Sequence, residues 1–485
     1  MMNEPYDVII IGAGVVGSLV ARALSRFRLR LLLIDKNSDV AEGTTKANTA
    51  IVHAGYDAKP SSLKARLSLA GNHLYDTLCG ELDVEFQRCG SYVIAQDAAD
   101  LLTLDMLYRR GQQNGVSGLN LLSSDEMRHR EPSLTPSVRG ALFAASGGIV
   151  DPFQMGIGAA ESAVLNGVEL LLETKVTSLI FENKRIIGVN TSKGSFRSRW
   201  VVVAAGLWAD ELMHLAGMDG FTIKPRKGEY FLLDRRASEY VHTVLFPCPT
   251  PVSKGIVVTR TVHGNVLIGP NANTVKDKED LAVTASGLDE VLYGARKLIP
   301  DLNTRDVIRS FAGLRAASSY DDFLIELPDD PGGLVVLAGI DSPGLTAAPA
   351  IAQYVVDLLR EAGLTLVPNS AYNPERRAVT RFANMSRAKQ EALIARDPRY
   401  ANVICRCEMV TEGEIVTACH GVIPARTYDG LKRRTRLGSG RCQGAFDLPL
   451  AIEIVARELG VSPLEITLKG GKSTLLTRFT KEVVG

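Results

Sequence analysis

The sequence predicts an α/β protein in three parts. The first is a dinucleotide-binding domain on a parallel sheet, the second a domain on a largely antiparallel sheet, and the third a small, mainly helical C-terminal unit. Three observations predict it. A glycine-rich turn lies between an apolar strand and a helix in YDVIIIGAGVVGSLVARAL, close to the N-terminus. Short β-runs and loops alternate through about residues 220–330. Beyond about residue 400 the apolar spacing becomes helical, and three cysteines stand in NVICRCEMVTEG and RLGSGRCQGAFD.

The bulk composition narrows the function classes. A chain of 485 residues is long enough for two or three domains with real cores. Hydrophobic residues at 46% and charged residues at 22% are ordinary for a globular protein. A net charge of +1 and only 6% aromatic residues leave neither a basic footprint nor a stacking platform, so no nucleic-acid partner is expected. The N-terminal apolar run has acidic residues before it and no basic leader, which excludes a signal peptide. Its glycines and the regular charges after it exclude a transmembrane segment. The seven scattered cysteines, without an export signal, point to a reducing, cytoplasmic setting. There, cysteine pairs read as metal or redox sites before disulfides.

The first forty residues form a Rossmann-like cradle. Residues 6–11 are a continuous apolar run, as in a buried parallel strand. Gly12, Gly14 and Gly17 follow as G-x-G-x-x-G, SLVARAL continues as a helix, and LRLLLID is a second strand ending in Asp35. Gly12 permits the tight turn, Gly14 lets backbone approach a pyrophosphate, and Gly17 lets helix pack on strand. The helix N-terminus offers free N–H groups and a positive dipole end. Asp35, about 20 residues on, is placed to accept from ribose hydroxyls.

Three later segments separate FAD from NAD. KNSDVAEGTTKANTAIVHAGYD is a long loop rich in Gly, Thr and Asn, residues that bond backbone and phosphate. The stretch GVELLLETKVTSLIFENKRIIGVNTSKGSFRSRWVVVAAGLWADEL reads as successive strands closing on small residues. GGLVVLAGIDSPGLTAAPAIAQYVVDLL is a strand, a glycine turn and a helix whose N-terminus can face a flavin ring.

Over about residues 5–365 these segments resemble the FAD-dependent D-amino-acid-oxidase-like (DAO) superfamily. TKANTAIVHAGYDAKPSSLKARL, KGEYFLLD, GLRAAS and GIDSPGLTAAPAIA resemble its glycerol-3-phosphate dehydrogenase and L-2-hydroxyglutarate oxidase branch. The C-terminal cysteine region resembles the BFD-like [2Fe-2S]-binding domain of anaerobic-type glycerol-3-phosphate dehydrogenases, and the whole architecture favours that enzyme. The resemblance implies FAD bound by Gly12, Gly14, Gly17 and Asp35, with Thr45, Lys46 and Asn48 in the loop passing pyrophosphate and flavin. It further implies Val176 at the adenine, Ala205, Gly206 and Trp208 in a second cofactor motif, and Gly339, Gly344, Leu345 and Thr346 near the pyrimidine edge. The implied activity is oxidation of sn-glycerol 3-phosphate, with an L-2-hydroxy acid as the alternative substrate. Electrons would pass to a partner flavoprotein or a membrane-associated subunit. A flavin-binding relay without turnover is the reading from another class.

Oxidising a secondary alcohol on a flavin needs an anion clamp and a base. His53, in AIVHAGYD, is a candidate base; otherwise it is bonded into its loop as a positioning residue. Arg315, in SFAGLRAAS, is the candidate clamp, because guanidinium pairs two-pronged with phosphate or carboxylate. Lys227 and Arg260 are further anion contacts, with a solvated face as the alternative for each. Tyr56 lies in the His53 segment, while Lys64 reads as a helix surface charge and Asp321–Asp322 as loop charges in water.

The expected boundaries are FAD-binding parts at about 1–70, 145–215 and 330–365, and a substrate part at about 70–145 and 216–330. A surface linker follows at 366–400, and the C-terminal unit occupies 401–485. In that unit LKRRTRLGSGR is locally basic, either docking an acidic partner or facing water. Cys405, Cys407 and Cys442 offer soft thiolate ligands for a cluster. The related pattern is C-x-C, a long gap, then C-x₄-C, and here its last position is Asp447. Either the cluster persists with a changed ligand, or the domain keeps its shape without iron and serves for docking.

Overall fold

The computed structural model describes residues 4–249 and 255–479. Strand β1 (Tyr6–Ile11), helix α1 (Val15–Leu24) and strand β2 (Leu31–Ile34) form the expected βαβ unit. β1 lies at the centre of a parallel sheet, paired with β2 on one side and with Gly194–Val203 on the other. Glu169–Leu171 extends the sheet beyond β2, and Leu334–Ala338 extends it beyond Gly194–Val203. Residues 8–11, 31–34 and 200–203 of the central strands are apolar and buried because both sheet faces are covered there. The helices Leu63–Leu82, Pro152–Leu165 and Gly344–Glu361 pack on one face with α1.

The second domain is built on a nine-stranded sheet. Ile223–Leu233 and Val307–Ser318 form its long antiparallel ribbon. Ser91–Ala95, from the segment before residue 145, joins the same sheet through Val244–Pro247, and that pair alone runs parallel. The two sheets therefore draw on strands that alternate along the chain.

The segment 366–400 runs along the surface, mostly exposed, and is anchored at a few points. Arg376 is buried and bonds Glu161 at 2.6 Å, and Phe27 bridges Pro368. The strap is thus pinned along the back of the cofactor domain. The C-terminal unit has its own core around three helices, Glu412–Cys419, Tyr428–Thr435 and Leu448–Leu459. Among the described residues no helix is long and apolar enough to cross a membrane.

Candidate active site

One cavity of about 2000 Å³ opens at the carboxyl ends of the parallel strands and runs under the antiparallel sheet. That exceeds the few hundred to about 1,000 Å³ of an ordinary small-molecule pocket, so it has room for a large cofactor plus substrate. Its first part is lined by Gly12, Gly14, Asp35, Val176, Ala205, Gly206 and Trp208. Gly12 has φ +106°, and a Cβ there would meet the Ala204 carbonyl oxygen at 2.4 Å. Only glycine holds this turn against the neighbouring strand. Gly17 packs on the Gly12 backbone instead of lining the cavity, the helix-on-strand role foreseen for it.

Asp35 accepts from the Ala13 N–H at 2.7 Å and the Asn37 N–H at 2.8 Å, which fixes its carboxylate at the cavity wall. Burial raises its carboxyl above the ordinary range, and those two donors oppose the rise. Lys36, which the sequence reading passed over, sits 3.7 Å from the centre of the Trp208 ring. It brings a positive charge to this end.

Farther along, Thr45 Oγ1 accepts from Val15 N–H at 3.0 Å and ties the loop to the start of α1. Asn48 donates to the Thr44 and Thr45 carbonyls and accepts from Ala50 N–H at 2.7 Å, holding the loop in shape. Lys46 departs from expectation. It is absent from the cavity wall, and its ammonium pairs with Glu42 and with Asp429 of the C-terminal unit at 2.9 Å. Gly344 and Leu345 reach the cavity at the start of their helix. Gly339 and Thr346 do not. Gly339 shapes the turn with φ +63°, and buried Thr346 Oγ1 accepts from His53 N–H at 2.9 Å.

His53 and Arg315 both face the cavity. Asn72 bonds the His53 carbonyl at 2.9 Å, and the Phe246 ring lies 5.8 Å from the imidazole. Arg315 Nη2 donates to the Asn271 carbonyl at 3.1 Å. Directly opposite Arg315 in the antiparallel register stands Arg226, which also lines the cavity. Two guanidiniums opposed on one face of the sheet can both reach a single anion. The signal for Arg226 was present in the strand alternation: Arg226 and Tyr230 share the cavity face, and Lys227 and Glu229 share the other.

Lys227 is therefore not an anion contact. It is buried and bonds Asp280 at 2.8 Å and the Ala282 carbonyl at 3.0 Å. Arg260 fails for the same reason, since Val257 of its strand faces the cavity and Arg260 lies on the alternate side, near Cys89. Tyr56 is packed in the core against Gly111, away from the cavity wall, where burial raises its phenol. Lys64 is no free surface charge, because it pairs with Asp341 at 2.9 Å. Asp322 accepts from the Leu63 and Lys64 N–H groups and caps their helix.

Two arginines of the basic stretch turn inward, while Arg441 at its end is exposed. Arg433 and Arg434 are buried and bind Asp39, each at 2.7 Å. Arg433 also bonds Glu42 and the Val40 carbonyl. The loop they grip runs straight into the cofactor loop at Thr44–Asn48. Burial alone would raise the Asp39 carboxyl, but Arg434 and Arg433 outweigh it and hold it below the usual range.

The cysteine region brings its four residues together in contacting pairs. Cys405 is buried against Asp447, and Cys407 contacts Cys442. Cys419 lies apart in the helical core. Among the described residues, no three His, Cys, Asp or Glu side chains converge closely enough for a single metal ion.

Comparison with known proteins accords with this geometry. Residues 7–358 match the DAO family of FAD-dependent oxidoreductases, and residues 403–444 match the BFD-like [2Fe-2S] binding domain. The chain is 45% identical to a glycerol 3-phosphate dehydrogenase of Caloramator mitchellensis, over 99% of this chain and 100% of that one. It is 33% identical to an L-2-hydroxyglutarate dehydrogenase of Salmonella houtenae, over 72% and 92% of the two. The solved structure of FAD-bound, dithionite-reduced L-α-glycerophosphate oxidase from Mycoplasma pneumoniae superposes with a TM-score of 0.73 at 30% identity. It covers 77% of this chain and 98% of the oxidase. The chain thus belongs to the DAO family of FAD-dependent oxidoreductases and carries a BFD-like [2Fe-2S] binding domain at its C-terminal end.

Proposed function

We propose that this enzyme oxidises sn-glycerol 3-phosphate to dihydroxyacetone phosphate and hands the electrons to a separate acceptor. The observation that carries the reading is the Arg226–Arg315 pair, opposed in register and facing the same cavity as His53. A phosphate between the two guanidiniums gains charge-assisted hydrogen bonds from both. The Caloramator mitchellensis relative, alike over its whole length, bears the name of this activity.

FAD, when bound, accepts the hydride from the carbinol carbon. Gly12, Gly14, Asp35, Thr45 and Asn48 hold the cofactor along the cavity. Arg226 and Arg315 orient the phosphate, and the Asn271 carbonyl keeps the Arg315 guanidinium in place. His53 takes the hydroxyl proton, its backbone anchored by Thr346 and Asn72. Phe246 supplies an apolar wall beside the imidazole. A partner flavoprotein or a membrane-associated subunit is the acceptor class this architecture suits.

Anaerobic mixing of the flavin-loaded protein with substrate tests the reading. Glycerol 3-phosphate should bleach the visible flavin absorbance. Bleaching by L-2-hydroxyglutarate alone would move the clamp to a carboxylate substrate. No bleaching by either alcohol, with flavin bound, would leave a relay without turnover.

A further inference from the structure

The last position of the cysteine pattern holds a carboxylate, and its setting is unusual for a buried acid. Asp447 is only 1% exposed. Its Oδ1 accepts from the Tyr428 hydroxyl at 2.8 Å. Its Oδ2 has no hydrogen-bond partner and is sealed from solvent. A buried carboxylate oxygen without a donor costs several kcal/mol unless something positive completes it. Among the described residues no donor is bonded to that oxygen, and the Cys405 thiol neighbours the same side chain.

The surroundings hold Asp447 in this pose. The chain wraps the Tyr428 hydroxyl so closely that a Cβ at Gly438 would meet it at 2.3 Å and one at Gly444 at 2.4 Å. The Gly440 turn packs on Cys407 so closely that a Cβ there would meet the Cys407 Cβ at 2.4 Å. The four candidate donors neighbour one another, Cys405 beside Asp447 and Cys407 beside both Cys442 and Asp447. Among the described residues no three converge closely enough for a single metal ion, which disfavours a tetrahedral zinc site. Four donors spread in this way suit a two-iron centre.

We propose that Asp447 is the fourth protein ligand of a [2Fe-2S] cluster held with Cys405, Cys407 and Cys442. Iron accepts carboxylate donors, and non-cysteine ligands on one iron retune a [2Fe-2S] centre without abolishing it. The assignment does not depend on which alcohol the flavin oxidises.

The test uses the full-length protein, purified anaerobically and reconstituted with ferrous iron and sulfide. Iron, sulfide and zinc are measured per chain, with electron paramagnetic resonance of the dithionite-reduced sample. Wild type should hold about two irons and two sulfides per chain. Asp447→Ala, and Asp447→Asn, which keeps the side-chain shape and an acceptor for Tyr428, should lose iron roughly ten-fold or more. Asp447→Cys should keep about two irons with altered resonance positions, because thiolate replaces oxygen. Wild-type iron content in both Asp447→Ala and Asp447→Asn would overturn the assignment. So would uptake of zinc in place of iron, or a wild type that takes up no iron while Asp447→Cys takes up two. A wild type without iron whose flavin still bleaches with glycerol 3-phosphate sinks this inference and leaves the proposed reaction standing.

Discussion

Alternation along one strand decides which cations face the cavity. Arg226 faces the cavity opposite Arg315, and Lys227 turns to Asp280. Arg226→Ala and Arg315→Ala should each raise KM by roughly 10- to 100-fold in anaerobic steady-state assays, since a hydrogen bond to a charged group contributes about 1.5–3 kcal/mol. Arg315→Lys should fall between, keeping the charge but losing the fork. Lys227→Met should leave KM unchanged and lower stability by ~1–2 kcal/mol in urea unfolding, because Asp280 is partly open to water and tolerates the loss. His53→Ala should lower kcat by roughly 10²–10⁴ with the flavin spectrum retained. Loss of FAD from that variant would assign His53 to positioning instead.

At the scale of elements, the Tyr428–Thr435 helix is the joint between the C-terminal unit and the cofactor loop. Its two arginines hold Asp39, only five residues before the start of the cavity-lining Thr44–Asn48 stretch. Arg434→Ala leaves the buried Asp39 with Arg433 alone, a change worth about 3 kcal/mol by analogy with broken buried pairs. The loosened loop should weaken FAD by about ten-fold or more, read by titrating apoprotein with FAD, since ~1.4 kcal/mol is a factor of ten. The sign with pH follows from Asp39. Its folded value lies below the ordinary carboxylate range, so the joint is complete above that range and loosens as pH falls through the folded value.

Across the whole molecule, His263 ties the substrate domain to the cofactor domain. It bonds Glu85 at 2.9 Å and Asp151 at 3.0 Å, the latter capping the Pro152–Leu165 helix. Burial would lower its value, but the bonds to Asp151 and Glu85 outweigh that and raise it. Its contribution to stability is therefore full below about pH 6.5, the ordinary histidine value, and is lost as pH rises through the raised folded value. Thermal unfolding midpoints of wild type should fall across that window, and His263→Gln should flatten the fall. An unchanged slope would show that other groups set it.

Local signals made the cofactor domain and much of the site legible. Gly12 and Gly14 follow the end of β1 and Asp35 follows the end of β2, all at the cavity wall, because the apolar periodicity that sets this βαβ unit is local. The same holds for the three C-terminal helices, whose apolar periodicity survived into the fold. Reading residues one at a time hid Arg226, although strand periodicity contained it. What no local pattern carries is the partner of a charge distant in sequence. Lys46 finds Asp429, 383 residues away, and Arg433 finds Asp39, 394 residues away. A basic stretch looks the same in sequence whether it faces water or a buried carboxylate, because desolvation and pairing arise only when the chain packs. Asp447 is the sharpest case. The sequence by itself determined that the last position of the cysteine pattern holds a carboxylate, and only the tertiary structure decided that this carboxylate is buried, anchored on one oxygen and, among the described residues, unpartnered on the other, because burial and pairing arise only when the chain packs.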